Sequence, residues 1–364
     1  MANFLDVFED VTKKGKKIPT DEYLESGKYP IIDQGQAYIA GYYNDAEGLF
    51  SDVPVIIFGD HTRVLKYVDF PCFLGADGVK LLKAKDQSAN YKYLYYALCN
   101  ARIPNTGYNR HFKWLKEVEI ALPDSETQKQ IAANLDKATQ TIDLCNAILE
   151  KLDLLVKARF VEMFGMVGTD KYGWGLKKIG EICEINPKKA KDYRLIPELT
   201  VSFIPMPAVS EKGDIDTSET RTYEEVKTGF TYFAENDVLF AKITPCMENG
   251  KGCVARNLCN QIGFGSTEFH VLRPLAVANP YWLYTATVFK QFREDAASNM
   301  TGSAGQRRVP ASFLESYKIA VPPLELQNQF ADFVKQIDKS KFAVQQVLAK
   351  AETLKKALMQ EYFG

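Results

Sequence analysis

Residues 120–131 read Ile-Ala-Leu-Pro-Asp-Ser-Glu-Thr-Gln-Lys-Gln-Ile, and residues 319–330 read Ile-Ala-Val-Pro-Pro-Leu-Glu-Leu-Gln-Asn-Gln-Phe. The two runs begin a longer self-match that continues without a gap to Phe164-Gly165 and Phe363-Gly364. A gapless match of this length is what internal duplication leaves. Pro123 and Pro322 sit just ahead of each apolar-periodic run, where a missing N–H costs nothing and the preceding residue is pushed extended. In the first copy Ile131, Leu135, Ala138, Ile142, Cys145, Leu149, Leu152 and Val156 alternate in steps of four and three, a heptad seam. The second copy interrupts that stripe with Lys341 and Lys355. A neighbouring stripe, Phe333, Ile337, Val344, Val347, Ala351, Leu354 and Leu358, is therefore expected to form its seam. Each helix should be roughly 55–60 Å long at 1.5 Å per residue. Two such helices in one chain most simply pack on each other.

The remaining sequence divides around these helices. The expected segments are a globular domain over 1–122, a helix over 123–165, a second domain over 166–321 and a helix over 322–364. In the first domain Val53 to Phe58 has the pattern of a buried strand and runs into Gly59-Asp60-His61-Thr62-Arg63. Val64 to Phe70 and Val79 to Leu82 read as further strands, and Tyr91 to Cys99 as a short helix. In the second domain Val238 to Pro245 takes the place of Val55 to Arg63, and Tyr281 to Phe292 reads as one amphipathic helix. The fold class is α+β: two β-rich mixed units separated by two long antiparallel coiled-coil helices with pseudo-twofold symmetry.

With 364 residues and a net charge of −1, the chain can build two or three cores and has no global basicity. Seven cysteines without a C-x-x-C pair suggest reduced thiols and a cytoplasmic protein rather than a zinc site. No apolar run approaches 18 residues, so no membrane span is expected. Four candidate enzyme signatures fail. Asn279-Pro280-Tyr281-Trp282 lacks the second proline of a methyltransferase loop and any glycine-rich strand–helix turn before it. Asp216 with Glu225 and Lys227 only loosely imitates a nuclease carboxylate set. Neither a P-loop nor a nucleophile elbow is present.

The stronger constellation reads nucleic acid. His61, Thr62 and Arg63 follow a strand end. Asn105, Thr106, Tyr108, Asn109 and Arg110 form a polar loop before the first helix. Thr301, Ser303, Gln306, Arg307 and Arg308 form its counterpart before the second. Lys14, Lys16, Lys242, Thr244, Ser266 and Thr267 complete the candidate DNA contacts. Arginine pairs bidentately with guanine, asparagine or glutamine with adenine, and hydroxyl groups with phosphate.

Together these pieces resemble the specificity subunits of type I restriction–modification systems, over essentially the whole chain. The resemblance rests on the two strand–Pro–Gln–helix runs, the Gly59–Arg63 and Thr301–Arg308 loops, and Gly-Lys-Lys-Ile-Pro with Tyr-Pro-Ile-Ile-Asp-Gln-Gly-Gln. It implies two target-recognition domains, each binding one half of a split double-stranded DNA target, with the helices setting the gap. Two modification subunits would dock on the helices and methylate adenine with S-adenosylmethionine; restriction subunits would join to cleave DNA using ATP. This chain itself would carry no catalysis and hold no cofactor or metal. The family usually has residues ahead of the first domain, so the first strand here is expected to be short. The competing reading is a coiled-coil scaffold whose two β-rich domains bind protein.

Overall fold

The repeated stretch folds as it reads. In the computed structural model, which describes all residues except 76, 87, 108, 190–195 and 304, helices of 40 residues run from Ser125 to Phe164 and from Leu324 to Phe363. The matched glutamines explain the entry geometry: Gln128 Nε2 donates to the Pro123 carbonyl at 2.8 Å, and Gln327 Nε2 to the Pro322 carbonyl at 2.8 Å. Each thereby satisfies an acceptor where the chain turns from strand to helix. Asp124 adds a cap that Pro323 cannot provide, its Oδ1 accepting from the Thr127 N–H at 2.9 Å.

Contacts divide the chain into two compact units, Met1–Asn146 with Gln346–Gly364, and Ala147–Gln345. Each long helix contributes to both. In the first unit Ile131 and Leu135, near the start of the first helix, share a core with Leu358, Tyr362 and Phe363 at the end of the second. In the second unit Phe160 and Phe164 lie 5.5 Å from Phe330, while Asp153 pairs with Lys341. Moving forward along one helix therefore moves backward along the other.

The buried line on the second helix shares Ile337, Val344 and Ala351 with the stripe expected for it but leaves out Val347 and Leu354. Val347 and Leu354 are 48% and 53% exposed. The line that packs runs through Phe330, Val334, Ile337, Lys341, Val344, Leu348, Ala351 and Lys355, none of them exposed. This is the same register as the seam of the first copy, lysines included. Lys341 stays inside because its long aliphatic stem covers apolar surface while its amine reaches Asp153.

The duplication extends into the globular parts. Ala2–Asn3 pairs antiparallel with Glu119–Ile120, and Leu176–Lys178 with Lys318–Ala320. Each unit then has a four-stranded sheet of identical order. In the first unit this is Phe8–Asp10, Val79–Ala84, Val55–Gly59, Leu65–Val68; in the second it is Cys183–Ile185, Phe269–Pro274, Val238–Ala241, Gly252–Val254. Val55–Gly59 and Val238–Ala241 are buried at every position, as strands covered on both faces must be. A second four-stranded sheet in each unit differs at one edge. There Lys17–Ile18 pairs parallel with Phe73–Gly75, whereas Thr231–Ala234 pairs antiparallel with Ile262–Gly265.

Tyr91–Cys99 is a helix as expected, but 281–292 is two helices, Pro280–Val288 and Lys290–Ser298. Phe289 between them is extended (φ −65°, ψ 142°), and its ring lies 5.0 Å from Phe160. Burying that ring overrides the helical periodicity on either side. Among the described residues no helix is long and apolar enough to cross a membrane, and the seven cysteines are free thiols.

Candidate nucleic-acid interface

Both units build the same frame where the central buried strand ends. In the first unit the Asp60 N–H donates to the Gly78 carbonyl at 2.6 Å, and the His111 N–H donates to the Asp60 carbonyl at 2.7 Å. In the second unit the Lys242 N–H donates to the Glu268 carbonyl at 2.9 Å, and the Val309 N–H to the Lys242 carbonyl at 2.9 Å. The strand end is thus clamped between the start of the last sheet strand and the exit of the polar loop. Two candidate loops, distant in sequence, are brought together in each unit by these backbone bonds.

In the first unit the turn after Asp60 is tight. Arg63 adopts φ 63°, and its N–H donates to the Gly59 carbonyl at 2.7 Å. A left-handed non-glycine residue is held there because neighbours fix it on both sides. Thr62 Oγ1 donates to the Gln34 carbonyl at 2.6 Å, and Gln34 Oε1 accepts from the His61 N–H at 3.2 Å. Arg63 Nη1 donates to the Ile103 carbonyl at 3.3 Å, tying turn to loop. Asp60 is 5% exposed; its Oδ1 accepts from the Phe112 N–H at 2.7 Å, and its carbonyl also accepts from His111 Nδ1 at 3.0 Å. Asn105, Thr106, Asn109 and Arg110 are exposed, with Asn109 Nδ2 donating to the Thr106 carbonyl at 2.6 Å. Tyr108 lies outside the described residues. Lys14 closes the short turn Thr12–Lys14, and Lys16 places its amine 5.5 Å from the Tyr43 ring centre. Among the described residues no hydrogen bond or ion pair joins either lysine to Asp60, Thr62 or Arg63.

In the second unit the loop is stitched more closely. The Thr244 N–H donates to the Arg307 carbonyl at 3.1 Å, and Thr244 Oγ1 accepts from the Arg307 N–H at 3.3 Å. Thr301 and Arg308 exchange backbone bonds of 2.9 and 2.8 Å. Arg307 Nη2 donates to the Ala297 and Met300 carbonyls at 3.0 and 3.3 Å, so this guanidinium fastens the loop to the preceding helix. Arg308 instead grips Glu268: Nε to Oε2 is 2.9 Å and Nη2 to Oε1 is 2.7 Å. That pairing holds the Glu268 carboxyl below its usual range. Ser266 Oγ accepts from the Glu268 N–H at 3.2 Å, and Thr267, Ser303 and Gln306 are exposed.

A buried histidine locks each frame. His270 Nε2 donates to the Val309 carbonyl at 2.8 Å while Asn186 Nδ2 donates to Nδ1 at 3.0 Å. Burial lowers the His270 pKa, so the ring is neutral with its proton on Nε2. In the same unit Arg293 is buried and donates to the Met247 and Gly250 carbonyls at 3.0 and 3.2 Å, fixing the turn that follows Thr244. Sequence reading gave no role to Asn186, Glu268, His270 or Arg293, and took Asp60 and His111 only as parts of their loops. No periodicity marks them, and their partners lie far away in sequence.

A family described as type I restriction modification DNA specificity domain matches residues 4–154 and 171–353. The specificity subunit of the type I restriction enzyme EcoAI of Escherichia coli is 42% identical over 160 residues, 43% of this chain and 26% of that protein. The EcoEI specificity subunit of the same organism is 41% identical over 154 residues, 42% of this chain and 25% of that protein. The matches thus span about a quarter of either relative's length. The crystal structure of the S subunit of a type I restriction–modification system from M. genitalium superposes with a TM-score of 0.61 at 16% identity. It covers 100% of this chain and 95% of that one, which is a likeness of fold.

Proposed function

As the chain belongs to the type I restriction–modification DNA specificity family, we propose that it reads the DNA target of such a complex and is not itself its catalyst. Residues 1–122 and 166–321 are the two target-recognition domains, each reading one half of a bipartite double-stranded site; 123–165 and 322–364 are the helices that set the gap. The observation that carries this reading is the doubled frame. One backbone arrangement presents His61, Arg63, Asn109 and Arg110 in one unit and Lys242, Ser303, Gln306 and Arg308 in the other. A shared scaffold with different side chains suits two recognition tasks of one kind on two sequences.

Two modification subunits docking on the helices, and restriction subunits joining them in the cytoplasm, complete the proposal. Leu144, Leu154 and Phe342, 62%, 63% and 61% exposed on the long helices, support docking there. Adenine methylation from S-adenosylmethionine and ATP-driven cleavage are assigned to those partners.

A gel-shift series with the purified chain, random-sequence duplex and rising salt tests the reading. Phosphate neutralisation should make affinity fall steeply with salt, and methylated-adenine mapping in cells should return a split sequence. Absent or salt-insensitive binding would favour the protein-binding scaffold instead.

A further inference from the structure

Glu268 places a carboxylate beside the loop that the second unit offers to DNA, where it repels every phosphate. The frame does not require it. At the equivalent point of the first unit, where the strand-end N–H finds its carbonyl, the residue is Gly78. The residue preceding the loop exit, Arg308 in one unit, is Arg110 in the other, and Arg110 makes no ion pair among the described residues. Asp77, beside Gly78, faces Lys17 at 3.9 Å. The same backbone thus stands with and without a carboxylate.

The pair is accessible, with Arg308 and Glu268 side chains 40% and 26% exposed. Arg308 spends its Nε–H and one Nη2–H on Glu268 and one Nη1–H on the Gln306 carbonyl at 3.2 Å. Of the five guanidinium donors, one N–H on each Nη is left. Glu268 keeps lone pairs that Arg308 does not use. Donor and acceptor therefore sit side by side and hold each other in place. The major-groove edge of a G·C pair offers the complement: acceptors at guanine N7 and O6, and a donor at cytosine N4.

We propose that Glu268 is a specificity-determining residue, and that the Glu268–Arg308 pair reads one G·C base pair as a unit, Arg308 on guanine and Glu268 on cytosine. The inference rests on the DNA-reading function above and deepens it. The ion pair that looks structural is the recognition element, and its negative charge lowers binding to every other sequence.

The test is selection of bound duplexes from a random library by the full chain, wild type against Glu268→Ala and Glu268→Gln, with thermal melts to check folding. Wild type should return a G·C pair at one position of one half-site. The alanine variant should lose discrimination at that position by about ten- to a hundredfold, with every other position and the other half unchanged. The glutamine variant, which keeps a bond to Arg308, should admit A·T there. An unaltered half-site in the folded glutamine variant, or an altered position that is A·T in wild type, would overturn the proposal. Loss of preference in both halves would overturn it too. A wild-type chain that enriches no sequence would sink the DNA-reading function itself, a different result.

Discussion

Arg307 and Arg110 have the same residue chemistry within one candidate face per unit, and the structure gives them different work. Arg307 fastens its loop to the Ala297 and Met300 carbonyls, whereas Arg110 is exposed. Arg307→Ala should therefore cost about 1–3 kcal/mol of stability by orphaning carbonyls, together with relaxed preference in one half-site. Arg110→Ala should leave the melting temperature unchanged and weaken binding. Denaturant melts alongside library selection separate the two effects. His270 carries a pH dependence whose sign follows from its depressed pKa. Above its ordinary value of about 6.5 the ring is neutral folded and unfolded, and the contribution is fully present. As pH falls below that value the unfolded state takes up the proton first, so stability is lost down to the folded pKa. Melts between pH 8 and 5 should show a decline that His270→Gln reduces; identical profiles would remove the histidine from the account.

At the scale of the element, the seam of the second long helix keeps the first copy's register because, after duplication, the gapless backbone register is retained while side chains diverge. Lys341 remains in the line, paired to Asp153, which also faces Lys212 at 3.8 Å. Both members are partly buried, with side chains 16% and 25% exposed. Removing one partner of such a pair leaves a charge in poor solvent, while replacing both by apolar residues is often neutral or stabilising. Lys341→Ala alone should cost about 1–2 kcal/mol at this depth, and the double change Lys341→Leu with Asp153→Leu should recover it. Urea titration of the four corners of that cycle gives the coupling; a double variant weaker than either single one would show that the ion pair specifies the seam.

For the whole molecule, the first unit is completed by the last residues of the chain. Asn100 Nδ2 donates to the Phe363 carbonyl at 2.8 Å, Asn134 Nδ2 to the Tyr362 hydroxyl at 2.9 Å, and Tyr93 lies 5.5 Å from the Phe363 ring. A chain ending at Gly165 loses these partners but keeps their repeat equivalents, Met163 and Phe164. Two copies of the fragment 1–165 can each supply what the other lacks, so it should be a dimer at micromolar concentration. Light scattering on the eluting peak decides this, a strictly monomeric folded fragment being the contrary outcome. Truncation at residue 345 should destabilise the first unit more than the second, read by hydrogen exchange in the two units.

The sequence by itself determined the duplication, both helix spans, the buried central strands and the division into two β-rich parts. Those features are periodic or repeated, and solvent exclusion acts on a period of 3.5 or 2 whatever the neighbours are. It also placed the polar loops, since glycine with asparagine, threonine and arginine between periodic runs has few other uses. The tertiary structure alone decided which stripe of the second helix packs, because a lysine stem beside an aspartate is indistinguishable from an interruption until the partner helix is present. It broke 281–292 at Phe289 because a ring-sized site against Phe160 outweighs two helical turns. It also revealed Asp60, Glu268 and His270, whose roles come from residues more than 30 positions away. Pairings at that separation are set by sheet register, and no local pattern encodes them.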